Sequence, residues 1–159
     1  MIASVAEFPE RIYNMFDTKA YNTKGTYSIK MYEMGVPISV VIDDFLPINT
    51  AWGDNQFTWI NTQKELWPIL LEKAFSKLMG NYMTIEGGWP IDAGTALMGT
   101  WGESFNSSNY ATNPTGFHDL IKSWDSQNAV MWAATSASLN GIIGGHAYSL
   151  INALTLSNG

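Results

Sequence analysis

The apolar positions of the chain change period several times, and each change marks an element. Ile2, Val5, Ala6, Phe8, Ile12, Tyr13 and Phe16 recur at helical spacing. Pro9 interrupts them, and proline suits the first turn of a second short helix. A polar loop follows and ends at Gly25. Thr26–Tyr32 and Val36–Ile42 then alternate or are β-branched, and Glu33-Met34-Gly35 separates them, which predicts a hairpin. Residues 48–62 read as a polar and aromatic loop. The strongest pattern runs from Gln63 to Met79, where Trp67, Leu70, Leu71, Ala74, Phe75 and Leu78 form one stripe against Lys64, Glu65, Glu72, Lys73 and Lys77. Thr62 followed by Glu65 has the capping-box spacing, and Gly80 is a natural stop.

Beyond Gly80 the periodicity weakens. Glu86-Gly87-Gly88-Trp89-Pro90 is a cluster of chain breakers. It predicts a boundary between two lobes, residues 1–86 and 87–159. Residues 91–115 are rich in Gly, Ser, Asn and Thr and carry little regular pattern. A short helix is expected over Phe117–Trp124 and a buried strand over Ala129–Ala134. Gly141–Gly145 reads as a flexible lead into another strand, His146–Ile151. The fold class expected from this order is α+β.

Composition narrows the function. Apolar residues make up 46% of the 159 residues, enough for a core, while only 14% are charged, against about 25% in an average soluble domain. Such a chain is either a Trp-rich soluble domain or part of something larger, with apolar faces that pack elsewhere. Eight basic and fourteen acidic residues give a net charge of −6, so no basic stripe exists to neutralise phosphates, and nucleic acid is not an expected partner. There is no cysteine, which excludes disulfides, thiolate-bound zinc and a cysteine nucleophile within these residues. No run approaches the about 18 apolar residues of a membrane span. The first residues lack the basic segment of a secretory signal, so the expected setting is intracellular, by default cytoplasmic.

Few residues offer chemistry. His118, at an expected helix start, reads as a surface or capping residue. His146 follows Gly144-Gly145, which let the backbone approach another element closely, and it opens a strand. A general base needs that pairing of open access with a fixed mount. Asp43 and Asp44 at a strand end suit a turn cap or, alternatively, metal ligation or acid catalysis. Several of the seven tryptophans could make a sugar-stacking surface, although Trp67 and Trp132 fall where core packing is expected. No phosphate loop, nucleophile-elbow serine or His-x-x-x-His pair is present.

Taken together, these segments resemble the calpains, papain-like cysteine endopeptidases. Val40–Pro47 resembles the family's strand that ends in Val-Asp-Asp-x-Leu-Pro, and Glu65–Tyr82 resembles its long helix. Gly87-Gly88 falls at the hinge between its lobes. Leu97-Met98-Gly99 resembles its Leu-Thr-Gly signature, and Gly145-His146-Ala147-Tyr148-Ser149 matches the motif of its catalytic histidine. The resemblance implies a partial protease core: a helical piece of the first lobe with a hairpin, then the start of the mainly β second lobe. It implies that His146 is the general base, that the substrate is an extended polypeptide, and that the family's cysteine lies a few residues before Met1. The asparagine that orients the histidine would lie beyond Gly159, since Asn152 and Asn158 are not in its motif. As written, the chain is expected to be inactive. Calpains are switched by calcium, and the family ligand at the start of the long helix aligns with Glu65, which thus has two compatible readings, helix cap and calcium ligand. The rival to a protease is a pseudo-protease, a calpain-like structural or protein-binding module, favoured by the missing cysteine.

Overall fold

A computed structural model describes residues 2–60 and 62–157. It is α+β, with five α-helices and two separate two-stranded antiparallel sheets. The chain forms two compact units, one of residues 10–101 and one that joins the first nine residues to residues 102–159. Each is described by itself. Gly87-Gly88 lies inside the first of these, between a 3₁₀ turn at Met83–Ile85 and a helix that starts at Pro90.

The unit 10–101 is built on a hairpin, β1 (Thr26–Glu33) and β2 (Val36–Asp43), paired from Thr26↔Asp43 to Glu33↔Val36. Met34 and Gly35 make the two-residue turn with φ of 49° and 80°. Both being positive, the turn twists with the strands. The period-2 pattern puts Tyr27, Ile29 and Met31 of β1 and Val40 and Ile42 of β2 in the core. Ahead of it, α2 (Pro9–Met15) starts at Pro9 as its sequence predicts and buries Ile12 and Met15.

The stripe predicted over 63–79 forms α3 (Trp67–Leu78), which packs on both strands and buries Ile69, Leu70, Leu71 and Ala74. Its start differs from expectation. The helix begins at Trp67 with Leu66 at the N-cap and Pro68 in the first turn. Lys64 has φ 58°, a left-handed conformation that no helix can include, so the Thr62–Glu65 capping box does not form. The Thr62 hydroxyl instead bonds the side chain of Gln63. Lys73 and Lys77 tie α3 to the end of β2: Lys73 donates to Asp43 and to the Phe45 carbonyl, and Lys77 to the Val41 carbonyl at 2.6 Å. Across the loop after β2, Phe57 stacks on Tyr82 with centroids 4.7 Å apart, and Thr58 is bonded to Glu72. Burial, then Glu72, pushes the Tyr82 phenol above its usual range.

Residues 91–115 hold more structure than their sequence suggests. A helix, α4 (Pro90–Met98), packs Ala93, Ala96 and Leu97 towards β1. Pro90 opens it and Gly99, in the left-handed conformation with φ 71°, ends it. A Cβ at Gly99 would lie 2.4 Å from the Tyr32 ring.

The other unit contains α1 (Ile2–Ala6), α5 (Pro114–Ser126), β3 (Met131–Thr135) and β4 (His146–Leu150). Here α5 extends the expected 117–124 in both directions, and its earlier start follows from Asn113, which caps it by accepting from the Gly116 amide, and from Pro114, which fits its first turn. The sheet pairs Met131↔Leu150 through Thr135↔His146. The strand expected to be buried is not: in β3 only Met131 is buried, Trp132 is half-buried, and Ala133 and Ala134 are exposed. A two-stranded sheet cannot cover both of its own faces, and the helix packed on this one, α1, meets β4. Trp67 is likewise only half-buried, while Trp52, Trp59, Trp89 and Trp101 are exposed, so little of the tryptophan content serves the core.

Candidate active site

His146 is the first residue of β4, and its side chain is exposed. Its backbone is held from several sides. Opposite it, the Thr135 hydroxyl lies between the Ile143 carbonyl at 2.5 Å and the His146 carbonyl at 3.2 Å, and the Thr135 carbonyl accepts from the Gly145 amide at 2.7 Å. The connection from 136 to 145 is a folded structure, not the flexible lead expected over 141–145. Leu139 and Ile142 exchange backbone hydrogen bonds around Asn140-Gly141, whose φ values are 49° and 86°. The Ser138 hydroxyl accepts from the Gly144 amide at 2.8 Å.

The two glycines before His146 do different work. A Cβ on Gly144 would fall 2.6 Å from backbone atoms of Ala137 and Ser138, so the two arms of the loop close only over a residue without a side chain. Gly145 has φ 62°, the left-handed turn that aims the chain into β4. The close approach expected from Gly144-Gly145 is therefore present, and its partner is the 137–138 arm. Tyr148, two residues along the strand and so on the same face as His146, sets its ring near-perpendicular to the imidazole, centroids 5.1 Å apart and planes at 77°. The Tyr148 hydroxyl accepts from the Ile143 amide at 2.8 Å.

Chemically, this is an exposed imidazole on a hydrogen-bonded backbone, the pairing of access and mount that a proton-transfer residue needs. The other candidates each have a setting of their own. His118 lies on α5 and its Nε2 is 3.1 Å from the Leu154 carbonyl, with Asp119 at 4.0 Å from Nδ1. It is a half-exposed helix residue, as its sequence context suggests. Asp43 and Asp44 belong to the unit 10–101. Asp43 acts as a turn cap, accepting from the Phe45 amide at 2.9 Å and pairing with Lys73. The Lys73 bond, helped by that amide, holds the Asp43 carboxyl below the usual carboxylate range. Asp44 donates its amide to the Gly25 carbonyl. Asn152 is exposed just after β4, and Asn158 lies outside the described residues.

Glu65 is exposed in the stretch leading into α3. Among the described residues, no group of three or more His, Asp or Glu side chains converges as a metal site would require. One carboxylate alone does not make a calcium site.

The comparisons with known proteins decide the family. A family model described as "Calpain family cysteine protease" matches residues 1–159. The chain belongs to the calpain family of cysteine proteases. It is 32% identical over 166 residues to the calpain-type cysteine protease DEK1 of Zea mays, covering 94% of this chain but 8% of that protein. It is 29% identical to the calpain of Schistosoma mansoni, covering 94% of this chain and 21% of the relative. Over 62 residues it is 44% identical to calpain-7 of Sus scrofa. The chain thus spans a small part of the calpain relatives it matches. The α+β architecture is that of a partial calpain protease core. No helix among the described residues is long and apolar enough to cross a membrane.

What the sequence missed at this site is the lining of the loop. Thr135 and Tyr148 were each within reach of a pattern: the β3–β4 register puts Thr135 opposite His146, and Tyr148 stands two positions from it. The Thr135 signal is not visible until the hairpin is paired, and Tyr148 is visible in the Gly145–Ser149 motif but its ring contact with His146 is not.

Proposed function

We propose that this chain is the middle of a calpain-type endopeptidase core and that His146 is its general base. In this reading a cysteine thiol supplied by the family just before α1 is deprotonated by pairing with the His146 imidazole and attacks the scissile carbonyl of an extended polypeptide. His146 then returns the proton to the leaving amine, and an asparagine downstream fixes the ring. The observation that carries the reading is that α1 packs against β4, the strand that begins with His146. A segment entering α1 is thereby tied to the imidazole's own strand. The 159 residues hold no cysteine, so this stretch forms no acyl-enzyme on its own. The lobe boundary near Gly87-Gly88, an intracellular setting and a calcium role for Glu65 are carried with the same reading. The latter needs carboxylates or carbonyls beyond those gathered here.

The test is His146→Ala in the native polypeptide that carries this chain. Hydrolysis of an unfolded protein substrate should fall by about 10³-fold or more. Full activity in that variant would overturn the assignment. A native sequence with a residue other than cysteine before α1, together with no hydrolysis by the wild type, would establish the alternative, a calpain-like module that binds without cutting. That alternative has one fact in its favour, the absence of cysteine from these residues.

A further inference from the structure

We infer that Tyr148 is a positioning residue for His146, acting through its ring on the imidazole and through its hydroxyl on the loop that carries it. The inference rests on the general-base reading of His146 and adds a part to it. An exposed imidazole at the end of a two-stranded sheet has two freedoms that would spoil proton transfer: the ring can rotate, and the turn before it can breathe. Tyr148 meets both. Its ring stands near-perpendicular to the imidazole at 5.1 Å, which blocks one side of the rotation. Its hydroxyl accepts from the Ile143 amide at 2.8 Å and lies 3.4 Å from the Ile143 carbonyl, five residues back along the chain. The tyrosine therefore spans the loop that Gly144 and Gly145 turn.

The loop is held there from a second side. Thr135 places its hydroxyl 2.5 Å from the same Ile143 carbonyl, and its own carbonyl accepts from Gly145. Ile143 is thus gripped by Thr135 from β3 and by Tyr148 from β4, three residues before the histidine. Ile143 itself is exposed, so its side chain does not explain the arrangement by burial. Tyr148 is half-buried, and its packing value alone would be met by phenylalanine. The hydroxyl has a separate use, which makes the two functions separable by substitution.

The experiment labels histidine with ¹³C in the native polypeptide that carries this chain and follows the His146 ring signals, identified by their loss in His146→Ala. Tyr148→Leu should move the His146 ring shifts towards free-histidine values and lower the order of the ring, with the His118 signals unmoved. Tyr148→Phe should leave the ring shifts close to wild type but speed amide exchange at 143–145 by about 5-fold or more, since a local opening is made easier. Thr135→Val should speed the same amides. If Tyr148→Leu leaves the His146 signals in place, or if Tyr148→Phe leaves the 143–145 amides as protected as before, the inference is overturned. Should Tyr148→Leu fail to fold, the Tyr148→Phe and Thr135→Val exchange data decide alone. Activity separates the inference from the reading beneath it. Tyr148→Leu should lower kcat about tenfold with KM unchanged, and Tyr148→Phe should restore most of it. Full activity in His146→Ala would sink the general-base reading, while the ring spectra would still decide whether Tyr148 positions the imidazole.

Discussion

The two units of this chain are built on different terms. In residues 10–101, a hairpin, two helices and the stretch around α2 supply nearly all the buried apolar side chains among the described residues; only Val5 and Met131 lie in the other unit. Both units also display large apolar side chains to solvent, among them Met34, Phe45, Trp52 and Trp59 in residues 10–101 and Leu139, Ile143, Leu154 and Leu156 in the unit that contains His146, so the difference lies in what is buried. The unit that contains His146 has little core. It is organised by hydrogen bonds around a loop and by one sheet of two strands. The lesson is about where rigidity comes from. A packed core fixes many residues through non-directional burial, whereas the His146 loop is fixed by a few directional contacts and a glycine that permits close approach.

The comparison breaks most easily at the core. Leu71 on α3 is 1% exposed and faces the hairpin unit's interior. Leu71→Ala should cost about 2–5 kcal/mol of that unit's stability, because the removed atoms leave a cavity that close packing fills poorly. Chemical denaturation followed by hydrogen exchange is the check. Amides of β1 and β2 should lose protection, and those of 138–145 should lose far less if the second unit is held by its own local bonds. Equal loss in both would show that the two behave as one cooperative body.

Gly144→Ala attacks the other side of the comparison. The added methyl meets backbone, not the yielding end of a side chain, at 2.6 Å, so the 137–138 arm must move. The expected cost is about 1–3 kcal/mol, the range for overpacking, concentrated in the loop. The Gly144 amide should lose its bond to Ser138, and exchange at 142–146 should speed up while β1 and β2 stay protected. A variant with unchanged exchange there would mean that the close approach is not what holds the loop.

How much of this was legible depends on whether the signal is local. The hairpin could be read because alternation and its glycine turn lie within eighteen residues. The body of α3 could be read from its stripe, but not its start, since the left-handed Lys64 overrides a capping pattern that looks sound in one dimension. Helix α4 was hidden by small residues, although Trp89-Pro90 and Gly99 mark its ends. The burial of β3 was misjudged because burial needs a second layer, and a run of apolar letters does not say whether one exists. At the site, the glycine pair together with the Gly145–Ser149 motif pointed to His146, and Tyr148 stands in that motif, whereas Thr135 required the register of a hairpin with a ten-residue connection. Long-range pairing is what a linear pattern leaves out.

The smallest expected effect sharpens the comparison by pH. In the hairpin unit, Lys73 and the Phe45 amide hold the Asp43 carboxyl below its ordinary value, and its side chain is about half exposed. A carboxyl whose folded value is depressed adds stability that is present above its unfolded value, about 3.9, and is lost as pH falls through the folded one. The hairpin unit should therefore weaken slightly in acid below about pH 4 through this link, and Asp43→Asn should flatten that part of the dependence. Screening by solvent keeps the effect small, and high salt should reduce it further. Thermal melts at several pH values, followed at the β1–β2 amides, test it. The His146 loop, whose contacts are backbone, hydroxyl and phenol groups, should show no matching change over the same acid range. If both units lose stability together and Asp43→Asn alters neither, the Asp43–Lys73 link is an exposed ion pair of no consequence, and the rigidity of the hairpin unit is owed to its core alone.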